Sequence, residues 1–166
     1  MRRVTPKPLT AEAFAPYGDV ISARDGVEQY PINYGATTRF NALAHVDVAT
    51  DGGAPIISIF RSTPLPALVL KIMERHPAGS QAFMPLNGRP YLVAVAPRGE
   101  FDAAKIEVFL AAGDQGVNYA AGTWHHYSLA LGEVSDFLVV DRAGPGANLD
   151  EVALSEADQI EVVLGK

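Results

Sequence analysis

Glycine and proline interrupt this chain so regularly that its apolar residues fall into short runs. The 166 residues include 15 glycines and 12 prolines. Together these make up about 16% of the chain, above the roughly 12% combined share in an average protein. Short apolar runs bounded by turn residues are typical of β-strands joined by tight turns. The sequence therefore predicts a mainly β protein, with little room for long helices.

Seven candidate strands follow one another along the chain, and little helix separates them. They are Pro55 to Arg61, Leu68 to His76, Gln81 to Pro85, Tyr91 to Ala96, Ile106 to Ala111, Thr123 to Leu131 and Asp136 to Asp141. This spacing favours an antiparallel sandwich or small barrel. A short helix is expected from Ala11 to Ala15 with Thr10 as its N-cap, and a minor C-terminal helix around Ser155 to Gln159.

Composition excludes several classes of function. The formal net charge is −6 and cysteine is absent, so we expect no nucleic-acid partner, no disulfide and no cysteine nucleophile. The longest apolar run is too short to cross a bilayer, and Thr5 to Pro8 stand where a signal peptide needs apolar residues. We expect one domain spanning residues 1–166, located in the cytoplasm and without a membrane partner.

The stretch from Leu68 to His76 changes character along its length. As one strand, it would place Leu68, Leu70, Ile72, Glu74 and His76 on a single face. An apolar face that ends in a carboxylate and an imidazole is typical of a strand reaching the open mouth of a barrel. The alternative is a strand that simply leaves the core, with both polar groups in water.

A second histidine segment lies at the start of a later strand. In Trp124-His125-His126, neighbouring side chains point to opposite faces, so at most one of the two histidines joins His76 inside. Neutral imidazole is the commonest metal ligand among side chains. We therefore expect one of these two histidines to share a site with His76.

Two runs resemble degenerate cupin motifs. In the first, His76 matches the second histidine of the motif, Glu74 stands in the place of the first, and Gln81 stands where a glutamate belongs. In the second, Gly122 and His125 match a Pro-x-Gly-x-x-His run. The resemblance implies a cupin-like antiparallel β-barrel, or jelly roll, in which two of the usual metal ligands are altered.

A closer resemblance covers residues 9 to about 150. Its motifs include Glu74-Arg75-His76-Pro77 with Gln81-Ala82-Phe83, Gly116 to Tyr119, Trp124-His125-His126, and Asp136 to Arg142. In this order they are similar to the ureidoglycolate lyase family. The resemblance implies a cupin-type barrel, a homodimer, cleavage of ureidoglycolate to glyoxylate and urea in allantoin degradation, and a divalent cofactor of the Ni²⁺ type.

That chemistry needs a base for the substrate hydroxyl and an acid for the departing nitrogen. We expect His76, His125, Glu74 and Gln81 to lie in the barrel mouth, with Gln81 also touching substrate. The four residues either hold a divalent metal, or the histidines and Glu74 act directly as acid and base. Burial in an apolar barrel would raise the pKa of Glu74.

The substrate carboxylate calls for a cation. Arg61 shares a strand face with Ile57 and Ile59 and would approach the substrate if that face is inward; the alternative is a salt bridge at the rim. Arg39 lies in a polar loop or edge strand. We expect Asp141 and Arg142 to form a structural pair. Asn118 and Tyr119 are expected to build a turn.

Two other functions are compatible with these residues. An amidohydrolase acting on the same substrate would release ammonia and would need an activated water. A non-catalytic cupin that binds a small carboxylate is kept open by the altered ligand set.

Overall fold

The computed structural model describes residues 1–165, and β-strands make up most of its regular secondary structure. The strands are β1 Arg2–Val4, β2 Lys7–Pro8, β3 Gly18–Ile21, β4 Gln29–Ile32, β5 Thr37–Phe40, β6 Ala54–Ser62, β7 Val69–Leu70, β8 Ile72–Arg75, β9 Gln81–Pro85, β10 Tyr91–Ala96, β11 Glu107–Ala111, β12 Gly116–Tyr119, β13 Trp124–His125, β14 Leu129–Ala130, β15 Ser135–Ala143, β16 Asp150–Ala153 and β17 Ile160–Val162. One α-helix, α1, spans Ala11–Phe14, and single 3₁₀ turns cover Asn33–Gly35, Thr50–Gly52 and Ala103–Lys105. The all-β prediction is confirmed, and the architecture is consistent with the cupin-like fold.

The two expected helices have different outcomes. Thr10 caps α1 as predicted, because its Oγ1 accepts a hydrogen bond of 3.2 Å from the Ala13 amide. The C-terminal helix around Ser155 to Gln159 is wrong. The amides of Asp158 and Gln159 both donate to the Ser155 carbonyl, which makes one turn between β16 and β17, and the apolar residues on either side belong to those strands.

Two sheets make up most of the molecule. One has the strand order β3-β12-β9-β15-β6, and the other has β16-β8-β13-β10-β11-β2 with β14 also pairing to β10. Between them lies a core rich in aromatic side chains, to which α1 contributes Phe14. The Phe14 ring meets those of Tyr17, Phe109 and Tyr119 at centroid distances of 5.8, 5.9 and 6.2 Å.

Strand β10 is buried on both of its faces. Tyr91, Val93 and Val95 enter the core between the sheets. The alternate residues Leu92, Ala94 and Ala96 enter a second core, which is closed by β1, β7 and β17. A strand covered on both sides reads as a continuous apolar run, and this one has the bounds that the sequence predicts.

The predicted strand from Leu68 to His76 is broken at Lys71. Strand β7 pairs with β17, whereas β8 pairs with β13 and β16. Leu70 and Met73 are both fully buried in the second core, although strict alternation places them on opposite faces. The single predicted face is therefore wrong in its first half, because the break changes the face. Glu74 in β8 and His76, the residue after the end of β8, remain on one side.

Strands β4 and β5 form a hairpin that pairs with no other described strand. Nearly all of its side chains are exposed. Among the described residues, no helix has the length and apolar character needed to span a membrane.

We predict that Phe14→Ala lowers the free energy of unfolding by about 3–5 kcal/mol, the usual cost of removing a large buried aromatic side chain. Urea denaturation followed by circular dichroism measures the change. Leu86→Ala, at an exposed position, is the matched control and should cost well under about 1 kcal/mol. A small loss for Phe14→Ala would contradict its place in the core.

Candidate active site

Glu74, His76 and His125 come together at one end of the space between the two sheets. Glu74 on β8 is directly opposite His125 on β13, and Val95 of β10 is opposite His125 on its other side. Opposite residues in an antiparallel pair share a face. Glu74 and His125 therefore face the same way as Val95, into the core between the two sheets. Glu74 Oε1 lies 3.5 Å from His125 Nε2, and the rings of His76 and His125 are 5.2 Å apart.

Backbone carbonyls orient both imidazoles. His76 Nδ1 lies 2.8 Å from the Asn148 carbonyl oxygen, and His125 Nδ1 lies 3.1 Å from that of Thr123. A carbonyl only accepts, so each Nδ1 carries a proton; each Nε2 keeps its lone pair in the neutral ring and becomes a second donor when the ring is protonated. Both Nε2 atoms are buried and have no hydrogen-bond partner.

The three side chains suit a divalent metal. One donor atom from each of Glu74, His76 and His125 lies within 4.8 Å of the other two. Two imidazole lone pairs and a carboxylate are ligands that Ni²⁺ and Zn²⁺ accept. Metal-bound histidines ordinarily donate their other N–H to an oxygen atom, as Asn148 and Thr123 provide here. The sequence prediction of a possible metal site is therefore supported for these three residues.

The electrostatics of Glu74 differ from the expectation. Hydrogen-bond donation from the His125 imidazole, whose Nε2 faces Glu74, lowers the pKa of the carboxyl below its ordinary value, and this effect exceeds the rise caused by partial burial. The predicted upward shift is wrong because that prediction considered burial without the neighbouring ring. Glu74 is an anion at neutral pH, so it can accept a proton or bind a cation.

Tyr119 supports His125 from the opposite sheet. Its ring stacks on the imidazole at a centroid distance of 4.2 Å and an angle of 9°. Tyr119 lies within β12 and not in a turn, so the turn-building expectation for Asn118 and Tyr119 is wrong. Burial raises the pKa of Tyr119, which keeps the phenol protonated.

Gln81 lies on the same sheet as Tyr119, which faces the sheet that carries Glu74 and His125. It is opposite Tyr119 in the pairing of β9 with β12, and only 5% of its surface is exposed. Its Nε2 donates to Asp141 Oδ2 at 3.1 Å. Asp141 is a site residue that the sequence reasoning missed, because we expected it to pair with Arg142. Arg142 donates instead to the carbonyls of Thr50 and Pro145.

The two arginines expected to bind substrate are not part of this cluster in the single chain. Arg61 shares the face of Ile57 and Ile59, but that face is outward: its side chain is 74% exposed and forms an ion pair with Asp136. Asp136 is five residues along β15 from Asp141, roughly 17 Å away at strand spacing. Arg39 is on the exposed β4–β5 hairpin.

His126 does not join the cluster, in agreement with the expectation that only one of the two histidines would. Its Nδ1 lies 3.0 Å from the Tyr127 carbonyl oxygen. Burial lowers its pKa, so the ring is neutral. Trp124, on the other face of β13, is in the second core.

Comparison with known proteins agrees with this geometry. Residues 1–161 match the model of a protein family described as ureidoglycolate lyase. The chain belongs to the ureidoglycolate lyase family. The resemblance in the sequence motifs is thereby confirmed.

Individual relatives are similar over nearly their whole length. A protein from Burkholderia mallei (strain NCTC 10229) named ureidoglycolate lyase is 56% identical over 159 residues, which is 95% of this chain and 92% of that protein. A protein of the same name from Burkholderia cepacia is 54% identical, covering 92% of this chain and 87% of its own. One from Pseudomonas syringae pv. tomato is 49% identical, with coverage of 96% and 95%.

We predict that His76 and His125 carry their protons on Nδ1 at neutral pH. Long-range ¹H–¹⁵N correlation spectra of the metal-free protein distinguish the two tautomers of each ring. The exposed His45 serves as the internal reference and should show fast exchange between forms. A neutral ring that carries its proton on Nε2 and none on Nδ1 would contradict the orientation described above.

Proposed function

We propose that this chain is a lyase that cleaves ureidoglycolate to glyoxylate and urea, a step of allantoin and purine degradation. The observation that carries the proposal is the Glu74–His76–His125 cluster, which places an anionic carboxylate beside two oriented imidazoles. Membership of the family gives the substrate, and the cluster gives the proton chemistry.

The reaction is the collapse of a hemiaminal. One carbon of the substrate bears a carboxylate, a hydroxyl and the urea nitrogen. Loss of the hydroxyl proton forms the carbonyl, the C–N bond breaks with its electron pair going to nitrogen, and that nitrogen gains a proton. No nucleophile or external water is needed, so one base and one acid are sufficient.

We assign the base to Glu74 and the acid to His76. The lowered pKa of Glu74 leaves it ionised and able to take the hydroxyl proton. His76 is less buried than His125, and in its protonated form its ring carries a second proton on Nε2, which it delivers to the departing nitrogen. His125, held between Tyr119 and Glu74, orients the carboxylate.

The cluster also suits a divalent cation, and Ni²⁺ is the metal that the family resemblance implies. When bound by His76, His125 and Glu74, such an ion supplies a Lewis acid that polarises the substrate oxygens. Gln81, with a free Oε1 on the facing wall, stays a candidate fourth ligand as well as a substrate contact.

The cytoplasmic location, the single domain and the role of Arg39 in binding the substrate carboxylate remain predictions. For assembly we propose a homodimer through β6. Ile57 and Ile59 are 72% and 62% exposed. They lie on β6, the free edge strand of the β3-β12-β9-β15-β6 sheet. An exposed apolar edge is ordinarily covered by a partner, and a two-fold interface pairs such a surface with its own copy.

We predict that Ile57→Asp with Ile59→Asp produces a monomer, because a buried charge on each side opposes association. Sedimentation velocity over a range of concentrations measures the mass. Leu164→Asp, at an exposed position in the C-terminal tail, should leave the dimer intact. A wild-type protein that stays monomeric at every concentration would disprove this interface.

Racemic ureidoglycolate tests the proposed reaction. The assay measures glyoxylate, urea and ammonia, with and without prior chelation of the protein. Glyoxylate with equal urea is the expected result, whereas ammonia in place of urea would indicate an amidohydrolase. Activity that survives chelation assigns the chemistry to the side chains alone, and activity restored only by added Ni²⁺ assigns it to the metal-loaded cluster.

We predict that Glu74→Gln and His76→Ala each reduce turnover by about 10²- to 10⁴-fold, the usual contribution of a positioned acid or base. Glu161→Gln and His45→Ala are the matched controls at partly or fully exposed positions outside the cluster. Circular dichroism checks that each variant is folded. Undiminished turnover in the folded Glu74→Gln variant would remove the base assignment.

A further inference from the structure

Gln81 on β9 and Asp141 on β15 form a hydrogen-bonded pair on the inner face of the β3-β12-β9-β15-β6 sheet. In the pairing of β9 with β15, Ala82 is opposite Val140, so Gln81 and Asp141 are next to each other at the end of the ladder. Gln81 shares the face of Phe83, and Asp141 shares that of Val139, both of which lie in the core between the sheets.

The pair presents mainly acceptors to a ligand, because one of the two N–H groups of the Gln81 amide is used within the pair. Gln81 Nε2 is used by Asp141 Oδ2, while Gln81 Oε1 is buried with no hydrogen-bond partner. The other carboxylate oxygen of Asp141 is not used in this hydrogen bond and can accept one from a ligand. A buried acceptor without a donor is unfavourable unless a ligand provides one, so this wall is suited to a group rich in N–H bonds.

The pair faces the same opening as the catalytic cluster. Gln81 is directly opposite Tyr119, and the Tyr119 ring stacks on His125. One aromatic ring therefore separates the Gln81–Asp141 wall from the imidazole beside Glu74. The two walls are therefore neighbours on either side of the Tyr119 ring.

We propose that Gln81 and Asp141 bind the ureido end of the substrate. This inference rests on the proposed function and adds to it the orientation of the substrate. The ureido group carries three N–H donors, whereas the carboxylate end carries acceptors only and is repelled by Asp141. The substrate is thus oriented with its urea nitrogens on this wall and its hydroxyl towards Glu74.

Two non-reactive analogues test the assignment without turnover. N-Carbamoylglycine and N-acetylglycine share the carboxylate and one N–H, lack the reactive hydroxyl, and differ by a terminal NH₂ in place of CH₃. We expect the wild type to bind the carbamoyl compound about tenfold more tightly or better, as for one hydrogen bond to a charged group. Calorimetric titration of the protein, metal-free and metal-loaded, measures both affinities.

Asp141→Asn should abolish that preference, because the amide that replaces the carboxylate presents N–H groups to the ligand when its oxygen accepts from Gln81. Gln81→Met, which removes the free acceptor at similar volume, should reduce the preference too. Asp136→Asn is the matched control, since it makes the same change on the same strand at the outward-facing ion pair with Arg61, and it should keep the preference.

Two results would overturn the inference. One is a wild type that does not distinguish the analogues, including one that binds neither. The other is an Asp141→Asn protein that loses affinity for both analogues equally, as general damage to the site would cause. Failure of the proposed reaction would look different: the wild type would leave ureidoglycolate intact yet still prefer the carbamoyl analogue.

Discussion

The burial of strand β10 on both faces is the constraint on which the rest of this structure depends. Its alternate side chains supply the core between the sheets and the second core behind it. Neither core could form with β10 at an edge, because half of its apolar side chains would then face water. The position of β10 also fixes β13, whose His125 is opposite Val95, and β13 in turn fixes β8 through the pairing of His125 with Glu74. The geometry of the cluster thus follows from the packing of an apolar strand.

The two sheets contribute different parts of the site. The sheet containing β10 carries the groups that handle protons, Glu74, His76 and His125. The facing sheet carries Tyr119, which holds one imidazole by stacking, and the Gln81–Asp141 pair. Because the sheets meet through a packed aromatic core, the distance between the two walls is set by contacts such as that of Tyr91 on β10 with Phe137 on β15, whose ring centroids are 5.1 Å apart. A rigid core beneath a small polar opening holds such groups in place without substrate.

Local patterns in the sequence were sufficient for part of this arrangement. Gln81–Pro85 and Tyr91–Ala96 have the predicted bounds, because turn residues flank both runs. Period-two spacing placed Glu74 with His76, and opposite faces separated His125 from His126. Strands such as β12 and β16 are only four residues long and depend on partners distant in sequence. No local pattern therefore indicates that Tyr119 belongs to a strand or that it meets His125.

Arg61 lies on the outward face of β6, and the sequence could not indicate this for a further physical reason. Alternation assigns side chains to two faces but does not say which face is inward, and Ile57 and Ile59 make the outer face of β6 as apolar as an inner one. The same ambiguity hides Asp141 beside Arg142, since a neighbouring acid and base look like a pair when in fact they point to opposite sides of β15.

The two departures from the cupin motifs are chemically connected. A glutamate in the place of a histidine brings an anion to the cluster, and its lowered pKa keeps that anion available as a proton acceptor. A glutamate at position 81 would add a second carboxyl to the wall that already holds Asp141 and would meet it directly, so one of these two carboxyls would be driven to take up a proton. Glutamine avoids this conflict, because its amide donates to Asp141 and its oxygen remains an acceptor. Compared with the cupin motif, the glutamate therefore stands at position 74 and not at position 81. This suits a reaction that needs a base near the substrate hydroxyl and hydrogen-bond acceptors around a urea leaving group.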